Sequence, residues 1–152
     1  MNTHEHYMRL ALKEAEKALE EDEVPVGAVI VHEGHIIARA HNQRERLKDP
    51  TAHAEMIAIT QAAAYLENWR LEGATLYVTK EPCIMCAGAM VQARLTSLVF
   101  GAFDEKGGAC GSVVNLVEET KFNHQVKVTG GVLAEESAVL LREFFQERCR
   151  SG

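Results

Sequence analysis

Ala74-Thr-Leu-Tyr-Val-Thr-Lys-Glu-Pro-Cys-Ile-Met-Cys-Ala-Gly-Ala-Met90 is the stretch whose reading decides the fold class. Ala74 to Thr79 is rich in apolar and β-branched residues and reads as a strand. Glu81-Pro82 then opens a helix that is expected to reach about Ala93. Proline suits the first helical position because the N–H it lacks would have gone unused there. A strand passing directly into a helix is the repeating unit of an α/β fold. Cys83 and Cys86, three residues apart, become neighbours on the first turn of that helix.

The same alternation continues in both directions. Leu98 to Ala102 reads as the next strand. Upstream, Asp49-Pro50 opens another helix, with Asp available to cap free N–H groups, and the helix runs to about Tyr65. Val24 to Val31 is a continuous β-branched run, which marks a strand buried on both faces. Glu33-Gly34 supplies a turn and Ile36 to Ala40 a returning strand. Ahead of these, Tyr7, Met8, Ala11, Leu12, Ala15, Ala18 and Leu19 recur at helical spacing. Downstream, the Gly107–Gly111 loop leads to a less regular stretch around Val114 to Thr120, then a fifth strand at Val126 to Thr129. A last helix starts near Ala134 and carries Leu140, Leu141, Phe144 and Phe145. Helical geometry lets only one of the two adjacent phenylalanines pack in the core. No repeat or linker divides the chain. The expectation is one domain over residues 1–152, a three-layer α/β/α sandwich around a five-stranded mixed sheet.

At 152 residues the chain can bury about 68–70% of the surface its unfolded form exposes, enough for a core without staples. Nothing reads as a signal peptide, and no apolar run approaches the ~20 residues that span a bilayer. A cytoplasmic protein with no membrane partner is expected. The net charge of −6 points away from nucleic acid, since phosphate contacts need Lys and Arg. Six acids crowd Glu14 to Glu23, however, while Lys106, Lys121, Arg142, Arg148 and Arg150 leave room for a local basic rim. Of the four cysteines, Cys83 and Cys86 have a spacing that suits a metal in a reducing compartment, whereas Cys110 and Cys149 lack such a partner.

The chemistry concentrates at two expected helix starts. His53 and Glu55 lie two residues apart, ~200° around a helix axis, so they cannot share a flank but can both reach a group beyond its end. His53 with Cys83 and Cys86 supplies three ligands for zinc, leaving the fourth tetrahedral position to water, whose pKa falls toward ~7. A carboxylate at Glu55 can then take a proton from that water and pass it to a substrate nitrogen. The main rival is a closed structural site with Cys110 as fourth ligand, which leaves Glu55 without a task.

His-x-Glu followed by Pro-Cys-x-x-Cys is the pattern of zinc-dependent nucleobase deaminases. Glu23-Val-Pro-Val-Gly-Ala28, Asp49-Pro-Thr-Ala-His-Ala-Glu55, Thr75-Leu-Tyr-Val-Thr79, Glu81-Pro-Cys-Ile-Met-Cys-Ala-Gly-Ala-Met90 and Val99-Phe-Gly-Ala102 narrow the likeness, as do Gly108-Ala-Cys-Gly-Ser112, Asn123-His124 and Phe144-Phe145. From about Tyr7 to Arg148 the chain resembles the bacterial tRNA-specific adenosine deaminases of the cytidine deaminase superfamily. The resemblance implies a homodimer that binds a tRNA anticodon stem-loop and converts adenosine to inosine at the wobble position, using one Zn2+ per subunit. It implies that Asn42 contacts the target nucleoside. It also places Asp104, Lys106, Asn123, His124, Phe145 and Arg148 against the RNA. Two alternatives stand beside it. One is a guanine, cytosine or free-nucleoside deaminase of the same fold; the other is a zinc-stabilised binding module without catalysis.

Overall fold

A computed structural model describes residues 2–151, with side chains through Arg148; those of Cys149 and Arg150, expected to be a bystander and a late basic group, lie outside the described residues. In chain order the elements are α1 (Thr3–Glu20), β1 (Gly27–His32), β2 (His35–His41), α2 (Arg44–Leu47), α3 (Ala54–Leu66), β3 (Ala74–Lys80), α4 (Ile84–Gln92), β4 (Ser97–Ala102), β5 (Lys127–Thr129) and α5 (Ala134–Ser151). The sheet order is β2-β1-β3-β4-β5. β1 runs antiparallel to β2 and β3, while β3, β4 and β5 are mutually parallel, so the sheet is mixed as expected.

Alternation along the strands distributes side chains to two helical layers. Ala28, Ile30, Leu76, Val78, Leu98 and Phe100 meet α3 and α4 residues such as Ala58, Ala62, Ala87 and Met90. Val29, Val31, Tyr77 and Val99 meet Met8 and Ala11 of α1 on the other face, where α5 lies against α1. Gly27 permits this second contact. A Cβ there would overlap the Ala11 carbonyl and the Ala15 amide nitrogen, so α1 sits directly on the β1 backbone.

Several element starts differ from the sequence expectation, each for a local reason. α1 begins at Thr3 rather than near Tyr7 because the Asn2 side chain caps it, accepting from the N–H groups of His4 and Glu5. β1 begins at Gly27, not Val24, with Pro25 in the unpaired lead-in. The shift that matters for the site is in α3, which starts at Ala54 instead of at Pro50. Asp49 does not cap it. Its carboxylate accepts from the N–H and hydroxyl of Thr51 at 2.8 and 2.7 Å, closing a separate turn. The short helical turn α2 was not expected at all.

Candidate active site

The later start of α3 creates the site. His53 is its N-cap, with extended φ −75° and ψ 149°, and Cys83 is the N-cap of α4, with φ −78° and ψ 179°. N-cap side chains project past the first turn instead of along the helix flank. Glu55 lies inside α3 and Cys86 inside α4, so each helix presents one residue from its cap and one from its first turn. β3 ends at Lys80 and feeds α4 through Glu81-Pro82-Cys83, which puts this meeting point outside the carboxyl ends of the parallel strands β3 and β4. Ligand sites of open α/β sheets gather there.

His53 Nδ1 lies 3.7 Å from Cys83 Sγ and 3.6 Å from Cys86 Sγ. Zn–S bonds of ~2.3 Å and Zn–N bonds of ~2.0–2.1 Å at a tetrahedral angle place sulfur and nitrogen ~3.6 Å apart, so both nitrogen–sulfur spacings suit a shared zinc ion. Among the described residues this trio forms the one group of His, Cys and acidic side chains spaced for a metal, and Cys110 is not part of it. The rival closed site with Cys110 therefore finds no support. Cys110 is buried, and its thiol is pushed up by that burial.

The charges around the trio are strongly perturbed. Cys83 is lowered to about 3, chiefly by the hydrogen bond from Cys86 and then, against the cost of burial, by His53. His53 is correspondingly raised, first by its hydrogen bond with Cys83. Burial pushes the Glu55 carboxyl up; it lies against the Cys86 thiol at the floor of the site. A carboxyl so placed holds and releases protons nearer neutral pH than an exposed one.

A cavity of about 230 Å³ opens over these groups, lined also by Val24, Val26, Asn42, Arg44, Lys80, Glu81, Asp104 and Phe145. Sites for drug-sized ligands run ~300–1,000 Å³, so this one takes a single base. Asn42 is buried in its wall, and its side-chain amide has no protein hydrogen-bond partner among the described residues. Asp104 pairs with Lys80 at 3.2 Å and accepts from the N–H groups of Lys106 and Gly107. Lys106 itself is exposed and does not line the cavity. Phe144 is buried while Phe145 is 52% exposed at the cavity, the division that helical geometry required. Arg148 stands over the Phe144 ring at 4.5 Å and donates to the Asp22 carbonyl at 3.0 Å, lining a cleft shared with Phe145 and Arg44.

Asn123 and His124 are not brought to the cavity within one chain. The His124 ring Nε2 is 2.6 Å from the carbonyl of Leu95, just before β4, whereas the cavity lies past the other end of that strand. Four participants escaped the sequence reading. Arg44 and Lys80 line the cavity. Glu23 and Glu81, both buried, hold its rim by accepting backbone N–H groups, Glu23 from Glu45 and Arg46, and Glu81 from Asp104, Cys110 and Ser112. Each of these acids precedes a Val-Pro or Pro-Cys step, a position that hinted at a fixed role without revealing it.

Comparison with known proteins agrees with this geometry. The MafB19-like deaminase family matches residues 2–148. The tRNA-specific adenosine deaminase of Bacillus subtilis is 57% identical over 147 residues, covering 97% of this chain and 91% of the relative. A solved structure from work on A-to-I editing at the wobble position of transfer RNA superposes with a TM-score of 0.86 at 48% identity, over 90% of this chain and 99% of that one. The guanine deaminase of Nitrosomonas europaea has a TM-score of 0.81 at 25% identity, over 95% and 85% of the two chains. Likeness that runs the length of the chain, rather than through its zinc motif alone, places this protein in the tRNA-specific adenosine deaminase family.

Proposed function

We propose that this protein hydrolytically deaminates adenosine to inosine at the wobble position of a tRNA anticodon. The observation that carries the reading is a proton-handling carboxyl, Glu55, buried beside three donors spaced for zinc at the floor of a cavity sized for one base. His53, Cys83 and Cys86 would hold the ion, which supplies Lewis acidity and lowers the pKa of water toward ~7. Glu55 accepts a proton from the attacking water and delivers it to the ring nitrogen beside the carbon under attack; it then takes the remaining proton of the newly added hydroxyl and passes it to the departing amino group as the carbonyl forms. Adenosine and water thus become inosine and ammonia. Asn42, with its amide free, is placed to hydrogen-bond the nucleoside, and Phe145 offers a ring on which a flanking base can stack.

The guanine deaminase reading shares the chemistry, and substrate separates the two. Zinc-loaded protein should be given an anticodon stem-loop with adenosine at the wobble position, the same stem-loop with that adenosine shifted by one, free adenosine, and guanine. Conversion of the first alone, read as inosine by mass spectrometry, is the expected result. Turnover of guanine or free nucleoside with an inert stem-loop would replace the substrate assignment and leave the site chemistry standing.

The same reading makes the protein a cytoplasmic homodimer. Ile84, Val113 and Val114, exposed apolar residues at the start of α4 and in the loop beside it, support a protein-covered surface there. Light scattering should give twice the chain mass; a monomer that still edits RNA would remove the dimer from the proposal. Among the described residues no helix is long and apolar enough to cross a membrane.

A further inference from the structure

We infer that Arg44 is the phosphate-binding residue at the mouth of the cavity, taking the backbone of the strand whose base has entered. This rests on the function proposed above. A cavity with room for one base leaves the ribose phosphates of a polynucleotide outside, at the rim, where their charge must be met. Two cations line the cavity, Arg44 and Lys80. The charge of Lys80 is already engaged by Asp104 at 3.2 Å. The guanidinium of Arg44 has neither an ion pair nor a hydrogen bond among the described residues, although carboxylates are abundant in the neighbouring chain.

Its backbone is far from free. The two N–H groups that follow it, those of Glu45 and Arg46, donate at 3.1 and 2.7 Å to the carboxylate of Glu23, which is 1% exposed. A fixed backbone with an uncommitted guanidinium is the arrangement that suits bidentate capture of an anion. Arg44 also lines the adjoining cleft with Phe145 and Arg148, so the strand leaving the cavity has a continuous path past an aromatic ring and a second arginine. The adenosine selects the enzyme through its base; Arg44 holds whatever nucleotide backbone comes with it.

The test compares Arg44→Gln, Arg44→Lys and, as a control for net charge, Lys13→Gln on the exposed face of α1, all zinc-loaded. Arg44→Gln should raise KM for the wobble stem-loop about fivefold with kcat within about twofold of the parent, and should lower the slope of log kcat/KM against log salt by about 0.7. The penalty should be the same for stem-loops that differ in the bases flanking the target, because a phosphate contact carries no sequence information. Arg44→Lys should recover most of the salt slope, and Lys13→Gln should match the parent. An Arg44→Gln protein with the parent's KM and salt slope overturns the inference. A parent protein that leaves the stem-loop unconverted overturns the functional reading, and this one with it.

Discussion

Glu55 and Glu81 are both buried carboxyls, 4% and 2% exposed, and their surroundings assign them opposite tasks. Glu81 works against the cost of its burial with donors on all sides: the hydroxyl and N–H of Ser112 and the N–H groups of Asp104 and Cys110. Those bonds fix it as a charged anchor. Glu55 faces the cavity and the sulfur of Cys86, and burial raises its pKa. Glu55→Gln should therefore retain zinc, measured by metal analysis, while deamination falls ~10²–10⁴-fold. Loss of the metal on that change would assign Glu55 to holding the site together. His53, Glu55, Cys83 and Cys86 were legible in the sequence because metal chemistry fixes both residue type and spacing. Arg44 and Lys80 were not, since an exposed cation in sequence gives no sign of which way it faces. Asn123 and His124 lie in irregular chain ahead of β5, and their distance from the cavity within one chain could not be read from the sequence.

Among the elements, every strand but β1 was legible to within a residue at each end, because apolar runs bounded by turns leave few other readings; the apolar run ahead of β1 hid a start three residues later. Helix starts were not. Asp49-Pro50 carries the composition of a cap, but Thr51 offers Asp49 a nearer partner, and the helix waits until Ala54. That delay sets His53 at a cap instead of at the close of the first turn, so the misread boundary is also the one that shapes the site. The loop from Asp104 to Ser112 has almost no regular structure of its own and takes its form from Glu81. Gly108 presses against that carboxylate so closely that a Cβ would overlap it. Glu81→Gln replaces a charged acceptor with one that carries two surplus hydrogens, and should cost ~1–3 kcal/mol by urea denaturation near neutral pH. The folded-state pKa of Glu81 is lowered, since its hydrogen bonds outweigh the burial that acts against its charge. Its contribution is thus present above the unfolded value of ~4.3 and fades as pH falls through the lower folded value. The stability gap between parent and Glu81→Gln should narrow in that acid range. A gap independent of pH would show that packing rather than charge carries the effect.

For the molecule as a whole, net charge gave the poorest guidance. Of the acids crowded between Glu14 and Glu23, Glu14 and Glu23 are buried, Glu14 pairs with Lys17 at 2.7 Å, and Glu21 is paired with His41 and Arg46 at 3.1 and 3.2 Å. Several acids of this cluster are thus turned inward or matched by bases, while Arg44, Lys80 and Arg148 stand along the cavity and its cleft. Sign and position of individual charges, not their sum, decide which polymer can approach. The buried carboxylates have a further consequence, one for diversification. Apart from the Ser112 hydroxyl, Glu23 and Glu81 grip the rim through backbone N–H groups, which every residue except proline possesses. The exposed side chains at positions 45 and 46, whose N–H groups Glu23 holds, and at 105 and 106, which lie between residues that Glu81 holds, contribute nothing to that grip. A lineage can therefore exchange those residues, and a protein engineer can randomise them, while the loops keep their course and the catalytic floor stays in place. New substrates become reachable by changing the collar of the site and leaving its chemistry alone.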